Sequence, residues 1–468
     1  MSNGVETGTS PLSAAELRAE PGGSALLTDL YQLNMMQAYL DHGKTGTAVF
    51  EFFMRKLPPN RGFLIAAGLE QALGYLEALH FTASEIEWLS QTGRFRRNLL
   101  DYLAAFRFTG DVHAMPEGTV FFADEPILRV TAPLPEAQLV ETRLINLLHF
   151  ETLIASKAAR HVLLAPGKEL VDFGLRRAHG AEAGLLAARA SYIAGYAGTA
   201  AVLAGELFGI PLYGTMAHSF IEAFDSEAAA FEAFARSRPQ NLTVLIDTYD
   251  TEAAARKVVA LAKRLEPEGI RVEAVRLDSG DLIALSKAVR RILDEGGCQD
   301  TAIFASGGLD DEDLIAFRQN AAPIDGFGIG TSLTVSEDKP ALDCAYKLQE
   351  YDGLPRRKHS PGKATWPGRK QVWREYGADG RMAGDVLSVE ADTHPGEALL
   401  VPVMRDGRRT GSPPALSTIR AHAAKNLERL PEKLRRLEQG AAYPVTVATP
   451  LIELAAKTDC RLAQGTTL

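Results

Sequence analysis

The chain has 468 residues, 46% of them apolar and 23% charged, with 41 glycines; this composition excludes a disordered or fibrous protein and allows a large core. Fifty Lys and Arg against 59 Asp and Glu leave a net charge of −9, which argues against broad binding to nucleic acid or acidic membranes, so an anionic partner has to be met by a local basic patch. Three widely spaced cysteines, Cys298, Cys344 and Cys460, make neither a disulfide framework nor a metal-type pair, and a reducing cytoplasm is the simplest setting.

Residues 1–24 carry no apolar signal core and read as a flexible tail. Residues 25–165 mix a helix start ("LLTDLYQLNMMQAYL"), a strand ("AVFEFFMRKLP"), helices near 66–107, a strand-rich patch ("GTVFFADEPILRVTAPL") and a linking helix from "EAQLVETRL" onward. From 166 to 345 one unit recurs: a short β-branched run ends in a polar or glycine cluster, and an Ala/Leu-rich amphipathic stretch follows. The strand ends read "ELVDFGLRR" (169–177), "PLYGTMAHS" (211–219), "TVLIDTYDT" (243–251), "VEAVRLDSGD" (272–281), "AIFASGGLDD" (302–311) and "IDGFGIGTS" (324–332). Units of this length build a parallel sheet covered by helices, so an irregular, closed or nearly closed α/β barrel is expected. The stretch "YIAGYAGTAAVLAG" (192–205) is too short to span a bilayer and reads as a buried helix. Residues 346–468 return to short strands and turns plus the helical "AKNLERLPEKLRRLE", and they are expected to pack with 25–165 as a second, discontinuous α/β domain.

In parallel α/β architectures ligands meet the carboxyl ends of the strands, and all six clusters lie at that edge. They supply Phe173, Arg176 and Arg177, Thr215 and His218, Asp247 and Asp250, Arg276, Asp278 and Asp281, and the glycine turns "SGG" (306–308) and "GFGIGTS" (326–332). This is an inventory for a phosphorylated substrate. Gly307, Gly308, Gly328 and Gly330 are read as an anion nest or, more simply, as tight turns. The spacing of "GFGIG" is not that of a dinucleotide fingerprint.

Asp247 and Asp278 end neighbouring strands, where they suit sugar hydroxyls and a Mg²⁺ ion that bridges phosphates, whereas Asp250 and Asp281 suit helix N-caps. Arg276 either receives an anion or forms a salt bridge with one of these aspartates. His218 has three readings: a satisfied core histidine, a metal ligand, for which no second ligand stands at suitable spacing, or a nucleophile with room around its ring. The basic stretch 354–374, with seven Lys and Arg and no acid, is read either as a solvated loop or as a flap over polyphosphate that uses Lys363 and Lys370.

Taken together, "LLTDLYQLNMMQAYL", "FEFFMRKLPPNRGFLIAAGLEQAL", "DFGLRRAHG", "GTMAHSF", "LIDTYDT", "VRLDSGDL", "FASGGLD" and "GFGIGTSL" resemble the nicotinate phosphoribosyltransferase family of NAD salvage. The resemblance implies an incomplete TIM-like barrel with a second α/β domain built from both termini, and a homodimer with shared active sites. It implies that nicotinate and phosphoribosyl pyrophosphate condense to nicotinate mononucleotide and pyrophosphate, with ATP as co-substrate and Mg²⁺ as cofactor. It further implies that His218 is the residue phosphorylated by ATP, and that Tyr31 (from the partner subunit), Phe173, Thr215 and Arg276 contact nicotinate. Arg176, Asp247, Asp278, Ser306, Gly307, Gly308, Gly328, Gly330 and Thr331 would handle the phosphoribosyl group, pyrophosphate and metal. Two relatives are set aside: a nicotinamide-using enzyme, because no acid lies between Gly195 and Gly205, and the much shorter quinolinate enzyme. A non-catalytic phosphosugar-binding regulator on the same scaffold is the alternative of another class.

Overall fold

The computed structural model describes residues 23–360, 362–438, 440 and 442–465, so residues 1–22 of the expected tail lie outside the described residues. Six parallel strands form one open sheet in the spatial order Gly198–Thr199, Glu169–Asp172, Gly326–Ile329, Ala302–Ala305, Val272–Leu277 and Leu242–Leu245. Their apolar centres are fully buried: Val171, Val244, Leu245, Val275, Ile303 and Ile329 are each 0% exposed. Burial of such a side chain contributes about 1.5–3 kcal/mol and drives these positions into the core, while the residues between them in Val272–Leu277 and Ala302–Ala305 stay partly exposed. The helices between them show one apolar stripe each. Thr251–Leu265 buries Ala254, Ala255, Val258, Leu261 and Leu265, the spacing of a single helical face. Asp250 and Asp281 cap the helices Thr251–Leu265 and Leu282–Glu295 with their side chains, as expected.

The sheet is a half-barrel, and its edges are where the sequence misleads. The stretch 192–205 is not one buried helix. Helix Ala181–Ala194 stops at Gly195, whose φ of 127° ends the α conformation, the strand Gly198–Thr199 follows, and a new helix, Val202–Phe208, starts with Val202 72% exposed. Likewise 211–219 is no full strand. Pro211 has no N–H to donate, and the only pairing there is an isolated bridge from Leu212 to Thr199. Residues 213–217 run irregularly, and His218 opens the helix His218–Glu222 instead of closing a strand. This segment passes from the Gly198–Thr199 edge towards the opposite edge, where His218 Nδ1 lies 3.1 Å from Thr248 Oγ1, just past strand Leu242–Leu245. A loop therefore spans the open side of the half-barrel where a strand was expected.

The other unit is an antiparallel sheet of seven strands in the order Leu354–Pro355, Asp343–Tyr351, Thr47–Lys56, Pro126–Pro133, Asp111–Ala114, Val401–Arg405 and Arg408–Arg409. It draws strands from both sides of the barrel segment. A four-stranded sheet, Glu397–Ala398, Lys370–Tyr376, Met382–Val389 and Val445–Val447, accompanies it. The long helix Glu141–Leu164 joins the two units: Leu144, Leu148 and Leu153 pack in one core, and Ile154, Ala158 and Leu164 in the other.

The basic stretch 354–374 is largely built into this unit. Lys370 is buried against Glu51 at 2.7 Å, Arg374 against Asp385 at 2.6 Å, Arg369 pairs with Glu350 and Arg357 with Asp459. The flap reading fails for Lys370, because the strand that starts there directs its ammonium inward. No helix among the described residues is long and apolar enough to cross a membrane.

Candidate active site

The strand ends converge on Arg276. Its Nε donates to Ser306 Oγ (2.8 Å), Nη1 to Thr215 Oγ1 (3.2 Å) and the Met216 carbonyl (3.3 Å), and Nη2 to Asp278 Oδ1 (2.6 Å). The guanidinium also lies 5.5 Å from the centre of the Phe173 ring, a cation–π distance. Strand register explains the convergence. Arg276 pairs with Phe304 on one side and Leu245 on the other, so the residues after those strands, Ser306 and Asp247, flank it. Thr215 and Met216 reach it across the gap that the irregular segment fills.

Asp278 is the acidic counterpart. Burial alone would raise its pKa, yet the Ser306 hydroxyl (2.5 Å), Arg276 and His218 together hold its carboxyl below the usual carboxylate range. Its Oδ2 faces His218 Nε2 at 3.8 Å. Asp247 Oδ2 accepts from the Asp278 N–H (3.0 Å) and the Ser279 hydroxyl (2.6 Å), while its Oδ1 is buried without a hydrogen-bond partner among the described residues. Such an orphaned carboxylate oxygen is costly unless a ligand hydroxyl or a cation completes it. His218, 40% exposed at its side chain, is held by Thr248 and keeps open space on its other flank.

The glycine turns complete the rim. Gly307 has φ 101°, and a Cβ there would stand 1.9 Å from the Asp278 carbonyl oxygen; Gly308 has φ 75° and faces open space. Among the described residues neither of their N–H groups donates to a backbone acceptor. Gly328 is needed for packing, since a Cβ there would meet the Phe173 ring at 2.4 Å. Gly330 precedes the short helix Thr331–Thr334, and Thr331 is exposed.

The structure thus brings together His218, Thr215, Arg276, Asp278, Asp247, Ser306, Gly307 and Phe173. Arg176 stands exposed on the 3₁₀ turn Leu175–Arg177 beyond this cluster. Tyr31 is not brought in by its own chain: it is 46% exposed on helix Leu30–Asp41, beside Asp29, Glu141 and Thr142 of the antiparallel unit. Sequence reasoning missed Thr248 and Ser279, which hold His218 and Asp247. Each stands next to a predicted aspartate, in "DTYD" and "DSGD", and that adjacency was the available signal. It also missed Asp172, a buried carboxylate on the neighbouring strand. Burial raises its pKa against the hydrogen bonds that it accepts from Thr199 Oγ1 (2.7 Å) and the Gly174 N–H.

The molecule is thus an α/β protein with an open parallel half-barrel, whose mouth gathers one guanidinium, two carboxylates and a half-buried imidazole at the carboxyl ends of the strands. Family models agree along the chain: the nicotinate phosphoribosyltransferase N-terminal domain over residues 26–149, the family's central region over 168–352 and its C-terminal domain over 393–455. The chain belongs to the nicotinate phosphoribosyltransferase family. It is 51% identical over 430 residues to nicotinate phosphoribosyltransferase pncB2 of Mycobacterium tuberculosis, covering 92% of each chain. It is 36% identical over 456 residues to the Bacillus subtilis nicotinate phosphoribosyltransferase, covering 91% of this chain and 93% of that one. The solved structure of human nicotinic acid phosphoribosyltransferase superposes with a TM-score of 0.82 at 29% identity, over 92% of this chain and 99% of the human one. A nicotinate-nucleotide pyrophosphorylase from Pyrococcus furiosus shares the fold, with a TM-score of 0.71 at 24% identity over 90% and 98% of the two chains.

Proposed function

We propose that the protein condenses nicotinate with phosphoribosyl pyrophosphate to nicotinate mononucleotide and pyrophosphate, driven by ATP through a phosphorylated His218. The observation that carries this reading is the Arg276 cluster: a guanidinium held by Ser306, Asp278 and Thr215 beside the face of Phe173, a combination suited to an aromatic carboxylate. The ring nitrogen of nicotinate attacks the anomeric carbon of the sugar, the bond from that carbon to the pyrophosphate oxygen breaks, and pyrophosphate leaves with the electron pair. Asp278 and Asp247 lie where positive charge on the sugar would be stabilised. The turns at Gly307, Gly308 and Gly330, with Thr331, suit the anionic end of the substrate. In this reading Arg176 reaches the phosphoribosyl group from its exposed turn, and Tyr31 covers the pyridine ring from the partner subunit of a homodimer.

The donor set also suits Mg²⁺. Asp247 Oδ1 and Asp278 Oδ2 are the carboxylate oxygens not taken up by protein donors, and Mg²⁺ prefers one or two carboxylates together with substrate oxygens. Bound there, it would neutralise charge on the leaving pyrophosphate. His218, exposed and oriented by Thr248, has space for a phosphoryl group taken from ATP, which releases ADP; water then removes it after turnover.

The test is pyrophosphate release with nicotinate or nicotinamide, each with and without ATP, together with incubation with γ-labelled ATP. Nicotinate is expected to be the better acceptor, ATP to stimulate release, and label to appear on wild type but not on His218→Ala. Equal labelling of both proteins would remove His218 from the scheme. Tight binding of phosphoribosyl pyrophosphate with no release would point instead to the regulator.

A further inference from the structure

Outside the mouth, a group of ion pairs around one buried lysine sits where the long helix Glu141–Leu164 packs against the helices that follow the two glycine turns. Lys157, 2% exposed at its side chain, places its Nζ 3.0 Å from Asp311 Oδ1 and 3.0 Å from Asp338 Oδ1. Asp311 is the first residue of helix Asp311–Gln319, three residues past Gly308, and Asp338 stands eight residues past Gly330, beyond the short helix Thr331–Thr334. One ammonium therefore holds the segments that follow both glycine turns. The turns also touch directly, since the Ser332 hydroxyl donates to the Leu309 carbonyl.

We infer that Lys157 is a positioning residue, which sets the spacing of the two glycine turns so that both face a single bound pyrophosphate group. This rests on the reading that those turns receive the anionic end of the substrate.

The neighbouring cations do not share this role. Arg61 bonds Asp338 and Ser336, and Arg160 bonds Asp311, so each arginine anchors one segment only. His161 adds a contact from its Nε2 to Asp311 (2.9 Å) while its Nδ1 meets the Tyr196 hydroxyl (2.7 Å). With Lys157 neutralised, Asp311 would keep Arg160 and His161, and Asp338 would keep Arg61. Neither carboxylate would be left buried and unpaired, which is the condition that ordinarily unfolds a variant. What would be lost is the one side chain, among the described residues, that pairs with both carboxylates; the Ser332–Leu309 contact would remain. A cavity of about 1100 Å³ lined by Lys157, Arg61, Asp311 and Asp338 leaves the segments room to separate.

Lys157→Met should raise KM for phosphoribosyl pyrophosphate about tenfold, leave KM for nicotinate unchanged and change kcat by less than about threefold. Asp338→Asn, which cuts the same tie from the other end but also takes the carboxylate from buried Arg61, should raise the same KM together with a larger fall in melting temperature, and the double variant should add little to the KM change. Calorimetric binding of inorganic pyrophosphate in the presence of Mg²⁺ should weaken about tenfold in both single variants. A lowered melting temperature with both KM values and pyrophosphate affinity unchanged would show a merely structural lysine and overturn the inference. If Lys157→Met does not fold, Asp338→Asn decides alone. Absence of turnover in wild type would count against the proposed reaction, while weaker pyrophosphate binding by the variants would still support the tie; wild type that binds no pyrophosphate would overturn both.

Discussion

The barrel mouth and the antiparallel unit both contain a guanidinium 2.6 Å from a carboxylate, and the two pairs do opposite things. Arg374 and Asp385 are 0% exposed, and each of their side-chain nitrogen and oxygen atoms has a protein partner. Arg374 spends Nε and Nη2 on Asp385 and Nη1 on the Val120 carbonyl, and Asp385 also receives the Tyr443 hydroxyl. Arg276 and Asp278 are 14% and 29% exposed, beside an aspartate with an unpartnered buried oxygen and an exposed imidazole. A saturated pair stabilises an arrangement, whereas an unsaturated one can still bind something. The difference lies in exposure and in the carboxylate oxygens that no protein donor reaches among the described residues, and not in residue type or distance.

Breaking the closed pair should produce the largest effect. Arg374→Met leaves Asp385 buried without its cation and should cost about 3–5 kcal/mol in denaturant unfolding. A loss below about 1 kcal/mol would erase the distinction. Next comes the open pair. Arg276→Lys keeps the charge but cannot reach Ser306, Thr215 and Asp278 from one planar fork, so kcat/KM should fall about 10²–10³-fold, roughly 2.7–4 kcal/mol, while the melting temperature moves by only a few degrees.

The junction between the units offers a third case, with a smaller and pH-dependent effect. Arg189 serves two buried carboxylates, Glu117 at 2.6 Å and Glu151 at 2.9 Å. Burial, the largest cause, and Glu117 raise the Glu151 pKa to about 8 against the pull of Arg189. The folded value lies above the unfolded one of about 4.3, so the native state holds the extra proton between them, and stability falls as pH rises towards 8. Glu151→Gln should flatten that decline in melting temperature between pH 5 and 8; an unchanged slope would place the proton elsewhere. The smallest effect belongs to the exposed i,i+4 pair Arg97–Asp101, at 87% and 58% exposure, where Arg97→Ala should change stability by less than about 0.5 kcal/mol.

Local pattern made the central barrel legible. The runs ending at Asp172, Leu245, Leu277, Ala305 and Ile329 are strands because each is a short, mostly apolar and β-branched or aromatic segment followed by a turn and a helix. The same reasoning failed at 192–219, where Gly195, Gly198 and Pro211 break an apolar stretch into helix, two-residue strand and bridge. It also misread Lys370, because a basic run does not reveal which of its members alternate into a sheet. The roles of Thr248 and Ser279 were not legible either, because their hydroxyls meet His218 and Asp247 across about 30 residues of sequence.

By itself the sequence determined the parallel strands, the helices between them and the edge at which the reactive side chains gather, since period and turn chemistry act within about ten residues of one another. Only the tertiary structure decided that the barrel stays open and that a loop, not a strand, spans its gap. It alone paired Arg276 with Thr215, 61 residues earlier, and brought Lys157 to both Asp311 and Asp338. Those contacts depend on strand order and on which carboxylates share a buried cation, and both are properties of the packed chain as a whole.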